Sequence, residues 1–159
     1  MEIQFREFRK ADVDALFFLD QNCFPPVQQS AFSTLLDVLL HPDATAMVAE
    51  EIGEGYQRVI GGLIVRCEAS RSRLHIVSLT VNEEFRRLGI ARHLLEWAER
   101  LARSSKCNLL LVPLHYGNTA GEALLSASGF RIAGDEWEEE PAAAYRQLWR
   151  REVVHEVQA

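Results

Sequence analysis

The stretch Leu79-Thr80-Val81-Asn82-Glu83-Glu84-Phe85-Arg86-Arg87-Leu88-Gly89-Ile90-Ala91-Arg92 carries an apolar strand through a charged turn into the strongest helical pattern of the chain. Beyond the turn, Ile90, Leu94, Leu95, Ala98, Leu101 and Ala102 repeat at helical spacing and form one apolar face. Arg92, His93, Glu96, Glu99, Arg100 and Arg103 fall on the other. The junction contains an electrostatic conflict. A helix N-terminus carries partial positive charge and unpaired N–H groups, so arginines gathered there cost about 0.3–1 kcal/mol each. An anion in that place removes the cost. Gly89 and Ala91 are small enough to let a phosphate approach the amides, and Arg86, Arg87 and Arg92 add charge-assisted hydrogen bonds. A second reading leaves Arg86 and Arg87 solvated and partly balanced by Glu83 and Glu84, with Gly89 merely shaping the turn.

Working outward, three strand-like runs span 44–51, 59–68 and 73–81, at spacings that suit an antiparallel meander. Before them, residues 3–8 alternate like a half-buried strand, and Asp12 can cap a helix that Phe24-Pro25-Pro26 ends. A second helix is predicted over 29–40, stopped by His41-Pro42-Asp43. After the central helix, 108–114 reads as a strand, and Thr119-Ala120-Gly121-Glu122 fits a capping box opening a helix through Ala127. Gly129 stops it. A short strand from Phe130, an acidic stretch at 135–140 containing Trp137 and a last strand near 144–154 complete the order. The fold class is α/β, a single domain over 1–159 with a mixed, mostly antiparallel sheet and helices on both faces.

The 159 residues, 48% hydrophobic and 25% charged, exclude a disordered tail or a coiled-coil rod. Seventeen Lys and Arg against 23 Asp and Glu give a net charge of −6, which argues against a nucleic-acid partner. No apolar run reaches the roughly 20 residues of a membrane span. The opening residues 1–10 alternate charged and apolar side chains, so a soluble cytoplasmic protein is expected, with no membrane partner. Cys23, Cys67 and Cys107 are odd in number, far apart and outside CxxC spacing; they read as buried thiols. Histidines at 41, 75, 93, 115 and 155 form no HExxH or HxH pair, so no metal is expected. Neither GxxxxGK[ST] nor GxGxxG occurs, which removes the nucleoside triphosphatase and dinucleotide-fold readings.

Arg86-Arg87-Leu88-Gly89-Ile90-Ala91 resembles the [QR]xxGx[GA] motif of the GNAT superfamily of N-acetyltransferases. Asn118, followed eleven residues later by Gly129-Phe130, resembles the family's second N…GF motif, and the element order matches over nearly the whole chain. Asn22-Cys23-Phe24-Pro25 is similar to the start of ribosomal-protein N-terminal acetyltransferases. The resemblance implies a sheet splayed between the fourth and fifth strands, with acetyl-CoA as cosubstrate in the splay. It further implies that backbone groups of Leu79, Thr80 and Val81 pair with the pantetheine arm, as in an added strand. The pyrophosphate then sits on amides of Arg87, Leu88, Gly89, Ile90, Ala91 and Arg92, with the Arg86 side chain nearby. Asn118 contacts the cofactor arm or, on physical grounds, caps a helix.

Acyl transfer to an amine needs the neutral nucleophile, and a lysine amine titrates near 10.4 against about 7.7–8.0 for a terminal amine. His75 stands on the strand position where the resemblance implies a Glu or His that takes the amine proton, and imidazole, titrating near pH 6.5, can accept it at neutral pH. Alternation with Leu74 and Ile76 also permits a plain solvent-facing histidine. Seven residues after Asn118, where the family places a tyrosine that protonates the departing thiolate, this chain has Leu125. Ser126, Ser128 and Tyr116 lie near in sequence, and solvent is an alternative donor. His115 and Tyr116 close the fifth strand near the expected cofactor arm. The acidic stretch 135–140 is expected near the acceptor opening, as a solvated loop or an attractor of a cationic amine.

The expected function is therefore an N-acetyltransferase that moves acetyl from acetyl-CoA to an acceptor amine, a protein N-terminus or a small amine, in a ternary complex. The alternatives are a non-catalytic CoA-binding module and a plain interaction domain whose arginines touch an acidic partner. The expected partners are acetyl-CoA and the amine, with a homodimer left open.

Overall fold

Alternating apolar and polar side chains build the first strand, β1 (Glu2–Glu7), in a computed structural model that describes residues 2–24, 31–133 and 146–155. A short 3-10 turn leads into α1 (Val13–Cys23), which stops at Phe24, the residue before a proline. The second helix, α2 (Phe32–Leu40), is followed by β2 (Ala44–Gly53), β3 (Tyr56–Glu68) and β4 (Arg73–Val81). The β2–β3 hairpin turns tightly at Gly55, whose φ of +74° favours glycine, so both strands run longer than the sequence pattern predicts. The central helix α3 (Ile90–Ser104), β5 (Leu109–His115), α4 (Thr119–Ala127), β6 (Arg131–Ile132) and β7 (Arg146–Glu152) follow. The expected acidic stretch at 135–140 and the start of the predicted second helix lie outside the described residues.

The sheet order is β1-β2-β3-β4-β5-β7-β6, antiparallel throughout except for the β4–β5 pair. Helices cover both faces, as the patterning implies. On one face α3 buries Ile90, Leu94, Leu95, Ala98 and Ala102, together with Leu125 of α4, against Leu63, Leu74, Ile76, Leu110 and Trp149. On the other, Leu16 and Leu19 of α1 and Leu35 of α2 pack on Ala46, Val48 and Ile64. Gly62 lets α1 come this close, because a Cβ there would collide with the Leu16 side chain.

Two features differ from the sequence reading. Glu99, assigned to the polar face of the central helix, accepts from Arg151 at 2.9 Å and also pairs with Arg103, tying α3 to β7. Of the two caps the sequence offers for α4, Asn118 and Thr119, the structure uses Asn118: its Oδ1 accepts the Gly121 amide at 2.9 Å from a residue in a non-helical conformation just before the helix. Of the cysteines only Cys107 is buried, and Cys67 and Cys107, distant in sequence, bring their sulfurs to 3.7 Å. An ion cluster pins β1 to the rest: Arg6 reaches Asp12 at 2.8 Å and Glu50 at 2.9 Å, and Asp12 also accepts the Arg9 amide. The Arg6 guanidinium holds the Asp12 carboxyl below the usual carboxylate range.

Candidate active site

The two strands that flank the expected cofactor cleft pair over only three positions, Arg73 with Leu109, Leu74 with Leu110 and His75 with Leu111. Beyond His75 they separate. Just past that point β4 is also irregular: the register with β3 slips between Ile64 and Val65, so Ser78 faces Ile64 while Ile76 faces Val65 and Val77 is the extra residue. Before the bulge, alternation puts Leu74 and Ile76 in the core under α3 and His75 on the opposite, α1 face; the extra residue then turns Leu79 and Val81 to the α3 side.

Backbone direction along the rest of β4 follows from one bond. Asn82 donates its amide to Ile60 O at 2.7 Å, toward β3, so alternation turns the amides and carbonyls of Leu79 and Val81 toward the β5 side. Thr80 is the odd member of the expected trio. Its backbone faces β3, opposite Gly62, and its side chain is buried. Val81 O is already held from two directions, by Cys23 Sγ and by Arg86 Nε, each at 3.3 Å. The Cys23 thiol is pushed up chiefly by burial, partly opposed by the Arg86 guanidinium.

The turn after β4 is anchored by Phe85, buried under the Arg58 guanidinium, and Asn82 Oδ1 accepts the Glu84 amide at 3.0 Å. Arg87 then adopts φ +66°, a conformation that costs a non-glycine residue on the order of 1 kcal/mol. Gly89 follows at φ +81° as the N-terminal cap of α3, with open space where a Cβ would stand. The amides of Ile90, Ala91 and Arg92 lie in the first turn of α3, where helix geometry supplies no intrahelical acceptor. Ile90 is buried, whereas Arg86, Arg87, Leu88, Gly89 and Arg92 are exposed. The balancing of Arg86 and Arg87 by Glu83 and Glu84 does not occur: Glu84 pairs with Arg58 at 3.8 Å, and among the described residues Arg86, Arg87 and Arg92 form no ion pair. Three unneutralised guanidiniums therefore surround a positive helix start. Open backbone edge, first-turn amides and guanidiniums together suit a pantetheine arm and its pyrophosphate.

His75 Nε2 lies 3.4 Å from Glu68 Oε1 across the β3–β4 hairpin, and both side chains are a little over one-third exposed. Glu68 also approaches Arg71 at 3.9 Å. The direct cross-strand neighbour of His75 on β3 is Arg66, whose Nη2 meets His41 Nε2 at 2.9 Å. Glu68 escaped the sequence reading although the turn at 69–72 carries the signal: in a tight hairpin, residue 68 faces 73 and lies diagonal to 75.

The other expected participants are dispersed. Asn118 Oδ1 is committed to capping α4. Leu125 is 2% exposed in the core, so no proton donor stands at that position. Tyr116 and Ser126 are exposed and Ser128 half-buried. His115 is the last residue of β5, His93 stacks on Phe5 at 4.1 Å, and His155, just past β7, meets Cys107 O at 3.1 Å. Asn22 bonds back to Phe18 O within its own helix.

The acetyltransferase (GNAT) family model matches residues 10–130, and the chain belongs to that family. It is an acyltransferase, and its cosubstrate is acetyl-CoA. No curated protein matches the chain by sequence. Solved structures share its fold at low identity. Ard1 from Thermoplasma volcanium superposes with a TM-score of 0.80 at 19% identity, over 98% of this chain and 100% of that one. The ribosomal-protein-S18-alanine N-acetyltransferase of Escherichia coli gives 0.76 at 15%, over 99% and 97%. The PaiA N-acetyltransferase of Thermoplasma acidophilum, solved with coenzyme A, gives 0.74 at 14%, over 96% and 99%.

Proposed function

We propose that this chain transfers acetyl from acetyl-CoA directly to an acceptor amine in a ternary complex, with His75 receiving the amine proton. The observation that carries the reading is the coincidence of His75 with the point where β4 and β5 part. When bound, acetyl-CoA supplies an activated thioester carbonyl. The Leu79 amide and carbonyl and the Val81 amide are available to hold the pantetheine arm. The amides from Arg87 to Arg92, with the Arg86, Arg87 and Arg92 guanidiniums, receive the pyrophosphate. Asn118 keeps its Nδ2 for the arm while Oδ1 caps α4.

The Glu68 carboxylate beside Nε2 of His75 favours the tautomer protonated there, which leaves the lone pair on Nδ1 to accept the amine proton. As the N–C bond forms and the C–S bond breaks, that proton passes through His75 to solvent, and solvent protonates the leaving thiolate. The acceptor is a protein N-terminus or a small amine; similarity to an S18-alanine N-acetyltransferase supports the first, at the level of fold.

The rival is a CoA-binding module without turnover, favoured by the buried Leu125 at the position the family gives a proton donor. Calorimetric titration with acetyl-CoA, coupled to detection of free coenzyme A with a panel of amines, separates the two. Saturable binding with amine-dependent thiol release supports transfer; saturable binding without release supports the module.

A further inference from the structure

Arg58 stands on β3 directly opposite Glu51 of β2, and its Nη2 meets Glu51 Oε2 at 3.2 Å. The Glu51 side chain is only 10% exposed and also accepts the Tyr56 hydroxyl at 3.2 Å, so the guanidinium is anchored on the sheet. Its Cζ lies 5.1 Å from the centroid of the buried Phe85 ring, in the turn that leads to Gly89. The same Nη2 is 3.8 Å from Glu84 Oε2. One side chain of β3 thus touches a carboxylate of β2 and two consecutive residues of the turn between β4 and α3.

Glu84 is two residues before Arg86 and three before Arg87. Among the described residues neither arginine forms an ion pair, nor does Glu83. Of the two turn carboxylates, Glu84 is the one held by a cation outside the turn. A pair this exposed is weak in isolation, but Arg58 has already lost its rotamer freedom to Glu51 and Phe85, so Glu84 meets an ordered cation at little further entropic cost. Without Arg58, the next cations along the chain are Arg86 and Arg87. A carboxylate on either competes with a phosphate for the same N–H groups.

Resting on the placement of the pyrophosphate at the Gly89 turn, we propose that Arg58 is a positioning residue for acetyl-CoA: it holds Glu84 off Arg86 and Arg87, so that both guanidiniums stay free for the pyrophosphate. Arg58 acts through Glu84 and not by contact with the cofactor. The acceptor amine and the proton step at His75 do not depend on it.

The test is a double-mutant cycle on acetyl-CoA affinity, read by calorimetry at low salt. Arg58→Gln is expected to weaken binding about three- to tenfold, the range of an exposed ion pair. On that background Glu84→Gln is expected to restore most of the loss, whereas in the wild type the same substitution changes affinity by about twofold at most. Because Arg58→Gln leaves the Glu51 carboxylate poorly paired, the cycle is repeated with Glu51→Gln added, which removes the stranded charge. With an accepted amine, the KM for acetyl-CoA rises in Arg58→Gln while kcat and the KM for the amine stay those of the wild type. Unchanged affinity in Arg58→Gln, a loss that Glu84→Gln fails to restore, or an equal gain from Glu84→Gln on both backgrounds overturns the role of Arg58 and leaves the cofactor placement standing. Wild-type affinity in a Gly89→Asp variant overturns the placement and this role with it. The expected coupling in a protein that turns over no amine supports the role of Arg58 and overturns the transfer reading.

Discussion

His75 and Arg150 are both cross-strand partners of one residue, Leu111, from its two sides. The pairing with His75 is the last before β4 and β5 part, and the pairing with Arg150 brings the charged edge of β7 into the same row. A single position on β5 thereby links the opening of the sheet, the proposed proton acceptor and the charged edge of β7.

Gly89 is the backbone feature on which the pyrophosphate contact turns. Its φ of +81° belongs to the left-handed region, so Gly89→Ala is expected to cost about 1 kcal/mol of stability although nothing lies within 4 Å of the added Cβ. Gly89→Asp adds a like charge where the phosphate is expected, and its acetyl-CoA affinity should fall by at least tenfold beyond the Ala variant. Thermal unfolding and calorimetric titration measure the two effects; equal affinities in the Ala and Asp variants contradict the placement.

Asn118 has one established role and one proposed. Asn118→Ala removes the cap of α4 and should cost about 1 kcal/mol, read by denaturant unfolding. Asn118→Asp keeps the capping oxygen and removes the Nδ2 donor. If that donor holds the cofactor arm, the Asp variant unfolds like the wild type yet binds acetyl-CoA more weakly; unchanged binding confines the residue to its cap.

The Arg6–Asp12 pair predicts a pH dependence of stability. Because the Asp12 carboxyl is held low in the folded chain, its contribution is fully present above the unfolded value of about 3.9 and fades as pH falls through the lower folded value. Arg6→Met strands two nearly buried carboxylates and should cost about 2–3 kcal/mol at pH 7, with the gap to wild type narrowing below pH 4. Urea unfolding at pH 7 and pH 3 tests this, and a gap that widens in acid contradicts it.

Much of the fold was legible because periodicity reports burial directly. The central helix, the meander and the succession of elements along the chain follow from spacing alone, and the arginine surplus at Gly89 is visible as charge out of place at a helix start. The rest required register. That Glu68 approaches His75, that Arg150 shares its row and that β4 and β5 pair over three residues only are relations between strands distant in sequence. A one-residue slip would reverse them all. The choice between Asn118 and Thr119 as the cap of α4 stayed open because both are competent caps and only the backbone conformation decides between them.

The Cys67–Cys107 contact sets an order of thiol reactivity. Burial, reinforced by Cys67, pushes the Cys107 thiol up to about 11, so at pH 7.5 it is neutral as well as inaccessible. An aromatic disulfide reagent should modify Cys107 only at the rate of unfolding. Since the folded value is raised, the contribution to stability is complete below the unfolded value of about 8.5 and is lost as pH rises toward 11. Modification of Cys107 in the native protein within seconds contradicts this packing.

The central claim is that His75 takes the amine proton at the mouth of the splayed sheet. The most direct measurement is acetyl transfer by wild type and His75→Ala to one accepted amine, followed by mass spectrometry, with acetyl-CoA affinity measured on the same samples. The account predicts a fall in kcat of about 10²-fold in the variant with acetyl-CoA binding unchanged. Equal rates with and without His75 would contradict it.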